Sequence, residues 1–187
     1  MKIVRRVSFC LACFFTVICM FFSIGINMKY PKSEIFTYDL NQEVEISDYS
    51  FIVDNFEVVD YFDFKEIYDI DYSRLDKYVE KENIKVAAVT VVVENTGMED
   101  IVPQIYQLTI CSGTYSNGVD LDVFKAMNND SSAMLAPLLR AGESIRIVLP
   151  YVIYGTSFQC DEGDPFMNRD FDLIFSIYPQ KIYVNLT

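Results

Sequence analysis

The run of β-branched residues between Val86 and Glu94 restricts the fold more than any other segment of the chain. Five of its nine residues are valine, and the run ends at the turn-forming sequence Asn95-Thr96-Gly97. Valine adopts an extended backbone at little cost and packs well on a pleated sheet. Successive side chains of a strand point to opposite faces, and here both sets are apolar or nearly so. The segment therefore predicts a β-strand that is covered on both sides or central in its sheet.

Composition and charge exclude several classes of function. Histidine is absent from the 187 residues, so this sequence offers no imidazole base and no histidine ligand for a metal. Five of the fifteen basic residues precede position 33, whereas all twenty-seven acidic residues follow it, which gives the later part a net charge of −17. A surface this negative repels phosphate backbones, so no nucleic-acid partner is expected.

Residues 7–26 form a run of twenty residues without a charge. A helix of this length rises ~30 Å, which is the thickness of the hydrocarbon core of a bilayer. The basic residues Lys2, Arg5 and Arg6 precede the run and favour a cytoplasmic amino terminus. The run therefore predicts a single-pass membrane helix, with the rest of the chain on the extracytoplasmic side of the cell membrane.

This interpretation divides the chain into three parts: a signal anchor over residues 1–27, a short tether over 28–41 and a folded domain over 42–187. The alternative for the first part is a signal peptide that is cleaved after Gly25, which would release a secreted protein. The uncharged run is longer than the apolar core of a typical signal peptide, which favours the uncleaved anchor.

From residue 42 onward, short segments of alternating apolar and polar residues are separated by turns. The alternation shifts phase at Asp54-Asn55, which predicts a β-bulge or a bend between sheets. Pro150 cannot donate a hydrogen bond to a neighbouring strand, so its strand is predicted at a sheet edge. Seven or eight such strands indicate an all-β fold, an antiparallel β-sandwich.

Residues 62–83 depart from this pattern and predict one short helical insert. Ser73 and Asp76 have the spacing of a capping box, and apolar residues follow at helical spacing. The segment also alternates aromatic and acidic residues, and such a surface is suited to a protein partner. The alternative is that these aromatic residues pack the insert onto the sandwich. The candidate partner-binding residues are Tyr61, Phe64, Tyr68 and Tyr72.

The domain resembles a family of uncharacterised Gram-positive surface proteins in four segments, which occur in the same order: "NQEVEISDYSFIVDNFEV", "AAVTVVVENTG", "AGESIRIVLPYVI" and "FDLIFSIYPQKIYVNL". The resemblance covers residues 42–186. It implies an immunoglobulin-like sandwich of the secreted-antigen type, an extracytoplasmic location, frequent lipidation and no known activity. The sequence departs from the family at Ala141, where a proline is usual, and in lacking a lipobox cysteine.

Cys111 and Cys160 are the cysteines beyond the amino-terminal run, and a disulfide between them is predicted; two independent thiols are the alternative. No histidine is present to activate a catalytic thiol.

The acidic residues of segment 161–172 could bind calcium, but their spacing matches no calcium loop. Solvated surface charge is therefore the favoured interpretation. No metal, cofactor or catalytic residue is therefore assigned.

These observations favour a non-catalytic protein-interaction module that is tethered outside the membrane. The alternatives are a passive structural domain of the cell envelope, a calcium-dependent module and a hydrolase. An enzyme is not expected, because no pair of carboxylates stands out and a small sandwich offers no obvious cleft.

Overall fold

The computed structural model describes residues 2–127, 136–158, 166 and 169–187. The chain divides into two compact units, Met1–Glu34 and Ile35–Thr187. The first unit contains helix α1, Lys2–Lys29, which includes the whole uncharged run. Within the described residues, no helix combines the length and the apolar character that a membrane crossing requires. Membrane insertion of this segment therefore stays a prediction.

Nine strands occur in the described part of the chain, and they form two sheets. The strands are β1 (Glu34–Asp39), β2 (Glu43–Ile46), β3 (Tyr49–Asp60), β4 (Ile84–Asn95), β5 (Thr109–Ser112), β6 (Tyr115–Gly118), β7 (Ser144–Tyr154), β8 (Asp172–Ser176) and β9 (Gln180–Asn185). One sheet has the order β1-β9-β8-β5-β6 and the other the order β2-β3-β4-β7. The pairs β2–β3, β3–β4, β4–β7, β5–β6, β5–β8 and β8–β9 are antiparallel.

Aromatic rings from the two sheets meet in the core between them. The ring of Phe51 lies 4.9 Å from that of Phe175, and the ring of Phe56 lies 5.7 Å from that of Phe171. The predicted β-sandwich is confirmed, although it has more strands than the seven or eight expected. Strand β1 lies within the segment that was predicted as a tether, residues 28–41. Almost all of its residues are exposed. Because neither face of this strand is buried, its sequence lacks the alternation of apolar and polar residues that indicates a strand.

Strand β4 lies inside its sheet, and both of its faces are buried. One face contributes Ala87, Val89, Val91 and Val93 to the core between the two sheets. The other face contributes Ile84, Val86 and Ala88 to a second core on the outer side of the same sheet. The prediction from the valine-rich run is therefore confirmed in both of its parts, since the strand is central in its sheet and covered on both sides.

Helical segments cover the second face of β4. They are α2 (Tyr61–Ile67), a 3₁₀ turn (Asp76–Tyr78), α3 (Val79–Glu82) and α4 (Leu121–Met127). The first three belong to the insert, residues 61–83, between β3 and β4. Together with the sheet they enclose the outer core, which consists of Tyr61, Phe64, Ile70, Ile84, Val86, Ala88, Val123 and Val152. The prediction of a single short helix is wrong, because the insert has two and α4 adds another from a distant part of the chain.

The predicted capping box is also wrong. The 3₁₀ turn begins after Leu75, and no side chain caps it. The carboxylate of Asp76 instead accepts hydrogen bonds from Lys65 Nζ, at 3.0 and 3.1 Å. Because this ion pair holds Asp76 against α2, its carboxylate is not used to cap the start of the turn.

Two features of the four-stranded sheet agree with the sequence. The β3–β4 register shifts between Val53 and Asn55, which confirms the predicted bulge. Strand β7, which contains Pro150, lies at the edge of the sheet, as predicted. Backbone oxygens at this edge are occupied: Asn117 Nδ2 donates to the oxygen of Val152 at 2.7 Å, and the Asp120 N–H donates to the oxygen of Pro150 at 2.9 Å.

Candidate functional site

The structure divides the predicted aromatic patch into buried and partly exposed residues. Tyr61 and Phe64 lie in the outer core, and their exposed fractions are 1% and 0%. Tyr68 and Tyr72 are half-buried and pack against the same core. Tyr61 and Phe64 therefore have no accessible surface for a partner in this conformation, and they fit the alternative in which aromatic residues pack the insert onto the sandwich.

Hydrogen bonds and ring contacts fix these residues in place. The hydroxyl of Tyr61 donates to the backbone oxygen of Tyr72 at 2.8 Å. Burial raises the pKa of Tyr61, and the neighbouring carboxylate of Asp76 raises it further. The ring of Phe64 lies 4.6 Å from that of Tyr68, whose hydroxyl is 3.4 Å from Glu57 Oε1. The first part of the insert is thus a packing element rather than a free surface.

Tyr72 contributes to a cleft between the insert and the start of α4, which we call the insert cleft. The cleft has a volume of about 500 Å³. Its lining combines three tyrosines, two aspartates, one arginine and one leucine: Tyr72, Tyr78, Tyr154, Asp120, Asp122, Arg74 and Leu75. Tyrosine side chains present a large apolar face together with a polar group, a combination that is frequent in binding sites.

Local structure positions the acidic wall of the cleft. Asp120 precedes α4, and its Oδ1 accepts hydrogen bonds from the backbone N–H groups of Asp122 and Val123 at 3.1 and 3.0 Å. Aspartate is favoured in this position because its carboxylate satisfies N–H groups that have no partner within the helix. Asp122 projects from the first turn of α4 and accepts a hydrogen bond from Arg74 of the insert at 2.8 Å.

The carboxylates of Asp120 and Asp122 both affect the pKa of Tyr72. Burial raises the pKa of Tyr72, the charges of Asp120 and Asp122 raise it further, and Arg74 lowers it. The carboxylates of Asp120 and Asp122 contribute a negative potential at this hydroxyl, which the charge of Arg74 opposes. The insert cleft is therefore an aromatic site with an acidic wall, which suits a cationic group.

The predicted disulfide involves a residue that the structure describes and one that it does not. Cys111 lies on β5 and is half-buried. Burial raises its pKa, as does the carboxylate of Asp172, its partner in the β5–β8 register. Cys160 lies outside the described residues, so the pairing stays a prediction.

The segment considered for calcium, 161–172, also lies mostly outside the described residues. Within the described ranges, no group of three or more acidic or cysteine side chains is placed to hold a metal.

Sequence reasoning found Tyr72 but missed most of the insert cleft. Asp120 and Tyr154 are distant from the insert in sequence, and only the packing of α4 and the end of β7 against it brings them near Tyr72. One local signal was present. Asp120 stands directly before a segment with helical spacing of apolar residues, which is the sequence pattern of a helix N-cap.

Comparisons with known proteins place the chain by fold. No curated protein matches its sequence. The yjhA protein of Bacillus subtilis is 13% identical, with a TM-score of 0.51 and coverage of 80% of this chain and 99% of its own. An uncharacterised β-sandwich protein of Clostridium difficile is 9% identical, with a TM-score of 0.50 and coverage of 83% and 97%.

A longer Bacillus subtilis protein, provisionally described as a lipoprotein, is 14% identical with a TM-score of 0.46. The match covers 79% of this chain but only 38% of that protein. At such identities the likeness concerns the fold alone, and the scores of the two shorter proteins support the β-sandwich.

The sequence itself gives the family. Residues 28–182 match the family model of DUF5028, which is described as a domain of unknown function. The match includes α4 and every strand except the last few residues of β9. The chain therefore belongs to the DUF5028 family.

Proposed function

We propose that this protein is a non-catalytic, immunoglobulin-like binding module that is held outside the membrane and contacts a protein partner through the insert cleft. The observation that carries the proposal is the cleft itself. Three tyrosines and an acidic wall surround about 500 Å³ of accessible space. Aromatic side chains in such a position contribute much of the affinity of protein interfaces.

The strand order supports the immunoglobulin-like part of the proposal. In immunoglobulin domains, strands A, B and E neighbour one another in one sheet, and G, F, C and C′ follow one another in the other. Here β3-β4-β7 corresponds to A-B-E, and β9-β8-β5-β6 corresponds to G-F-C-C′. In this correspondence the insert is the loop between A and B, and α4 lies in the connection between C′ and E.

The anchor proposal is supported by the surface of α1. Large apolar side chains between positions 14 and 28 are exposed, among them Phe14 at 65%, Phe21 at 72% and Met28 at 80%. Exposed apolar side chains over several turns of one helix are unfavourable in water and favourable in a bilayer. The basic residues before this run favour an amino terminus in the cytoplasm.

The insert cleft is a better binding site than the edge of β7. A partner that adds a strand to a sheet needs free backbone N–H and oxygen groups along the edge. Pro150 has no N–H, and its oxygen and that of Val152 already accept hydrogen bonds from Asp120 and Asn117. Asp120 Oδ1 already accepts hydrogen bonds from the first turn of α4, which supports binding rather than acid–base catalysis by this carboxylate.

A photoreactive amino acid at position 78 tests the proposal in cells that carry the full-length protein. Tyr78 lines the cleft and is 42% exposed, whereas Met98 lies beyond the other end of β4 and is 98% exposed, which makes position 98 the control. We expect irradiation to attach one defined protein at position 78 and not at 98. The adduct should disappear when Tyr72 is also replaced by serine.

Two results would contradict this proposal. Adducts at position 98 alone would move the binding site to the opposite end of the sandwich. An absence of adducts at both positions would favour the alternative of a passive structural domain.

A further inference from the structure

The insert cleft already holds a cation that belongs to the protein itself. Arg74 Nη1 lies 2.8 Å from Asp122 Oδ2, and the two side chains are 74% and 51% exposed. Water and salt compete with an ion pair as exposed as this one, so it contributes little to stability. Arg74 can therefore leave Asp122 without disturbing the fold, and another cation can take its place.

A second basic residue of the insert contacts one of the tyrosines that line the cleft. Lys77 Nζ is 4.8 Å from the centre of the Tyr78 ring, a distance at which the negative face of the ring attracts a cation. Arg74 and Lys77 thus both lie against residues that line the cleft. The groups they contact, a carboxylate and an aromatic face, are those that recognise cations in protein interfaces.

We propose that the insert cleft binds an arginine side chain of the protein partner and that Arg74 occupies the place of that side chain in the unbound protein. This inference rests on the proposed function, since it requires a protein partner. A guanidinium group is planar, donates hydrogen bonds to a carboxylate and stacks on aromatic rings. It can therefore interact with the aspartates and with the tyrosines of the cleft at the same time. The net charge of −17 beyond position 33 also draws a basic partner toward this domain.

The inference is tested with N-acetyl-arginine amide as the probe and the full-length protein in detergent. Tyrosine ring signals in NMR spectra report occupation of the cleft. Arg74→Gln removes the side chain that competes with the probe for Asp122. We expect the dissociation constant of the probe to fall roughly two- to fivefold, because the probe no longer has to displace an exposed ion pair. Asp122→Asn should weaken binding, because the charged acceptor is lost.

Arg146→Gln is the matched control. Arg146 forms another exposed ion pair, with Asp54, and its replacement changes the net charge of the protein by the same amount. We expect this variant to bind the probe as the wild type does. Equal tightening in both arginine variants would show a general charge effect and overturn the inference, as would equal binding of N-acetyl-lysine amide.

The outcomes separate this inference from the proposed function. A partner adduct at position 78, together with an arginine probe that does not bind, would overturn the arginine assignment and leave the binding module intact. Tighter probe binding in the Arg74 variant without any adduct at position 78 would support the cation site and contradict the protein partner.

Discussion

At the scale of single residues, Asn95 connects three segments at one end of the sandwich. Its buried amide nitrogen donates to the backbone oxygens of Glu99 and Leu139 at 2.8 and 3.0 Å, and its Oδ1 accepts from the Gly97 N–H at 2.9 Å. A side chain at position 97 would lie 2.9 Å from the Cβ of Asp48, so glycine is required there. The sequence Asn95-Thr96-Gly97 indicated a turn, but it did not reveal that Asn95 bonds across forty-four positions of the chain.

Replacing Asn95 tests this connection. Asn95→Ala removes all three hydrogen bonds. The oxygen of Leu139 keeps the Ile101 N–H and the N–H of Gly97 keeps the oxygen of Asp48, so the oxygen of Glu99 is the group that loses its partner. A buried group left unpaired costs about 1–3 kcal/mol, and we expect a loss of this size in the free energy of unfolding, measured by urea denaturation.

Asn95→Asp separates lost hydrogen bonds from lost volume. The variant keeps the shape and the acceptor for the Gly97 N–H, but it places a carboxylate oxygen against two carbonyl oxygens. Above the ordinary aspartate pKa of about 3.9 it should be less stable than Asn95→Ala, because a buried charge faces acceptors. Because the buried site raises the pKa of this carboxyl group above its unfolded value, the deficit should shrink as the pH falls toward about 3.9 and be absent below it. Equal stability of both variants at neutral pH would contradict the expected repulsion between the carboxylate and the two backbone oxygens.

At the scale of secondary-structure elements, the insert depends on the outer core. Phe64 is fully buried there, whereas Phe62, on the same helix, is 50% exposed. Replacing a buried phenylalanine by alanine costs ~3–5 kcal/mol, because apolar contacts are lost and a cavity remains. We expect Phe64→Ala to lose this amount and Phe62→Ala to lose less than about 1 kcal/mol, as thermal melts of both variants would measure. Similar losses in the two variants would contradict the packing role of α2.

Elements with one buried and one solvated face were predictable from the sequence. Strand β2, the bulge in β3 and the inward face of β7 follow the alternation of apolar and polar residues closely. Elements without this pattern were missed. Strand β1 is almost wholly exposed, and β6 has only four residues, none of them fully buried.

Predictions of individual faces failed where regular strand geometry ends. The alternation of residues 106–110 predicts that Tyr106 shares a face with Leu108 and Ile110. Residues Ile105–Gln107 instead form a 3₁₀ turn, and Tyr106 is 45% exposed. The alternation of Phe171, Leu173 and Phe175 predicts that Ile177 continues the inward face of this strand. The β8–β9 register shifts between Ile174 and Ser176, and Ile177 is 69% exposed.

The candidate site was only partly predictable for a different reason. Its aspartates and Tyr154 reach the insert through long-range packing, which no local sequence pattern encodes.

At the scale of the whole molecule, the anchor proposal makes a prediction about cell fractions. The full-length protein should be recovered with membranes, and its first residues should remain attached. A charged residue near the centre of a membrane helix costs ~2.5–3.5 kcal/mol on insertion, so Val17→Arg should reduce the membrane-bound fraction. Met98→Arg adds the same charge at an exposed position of the domain and should leave the fraction unchanged. A mature protein that begins at Ile26 and is found in the medium would contradict the anchor.

The occupied edge of β7 affects how copies of this domain behave when they are crowded. An open edge strand can act as a template on which a second copy pairs, and repeated pairing of this kind leads to fibrous aggregates. Here Pro150 removes one donor, and the side chain of Asn117 and the backbone of Asp120 occupy the adjacent oxygens. A second copy therefore cannot pair with β7 at Pro150 and Val152, and domains at high local concentration are hindered from joining along this part of the edge.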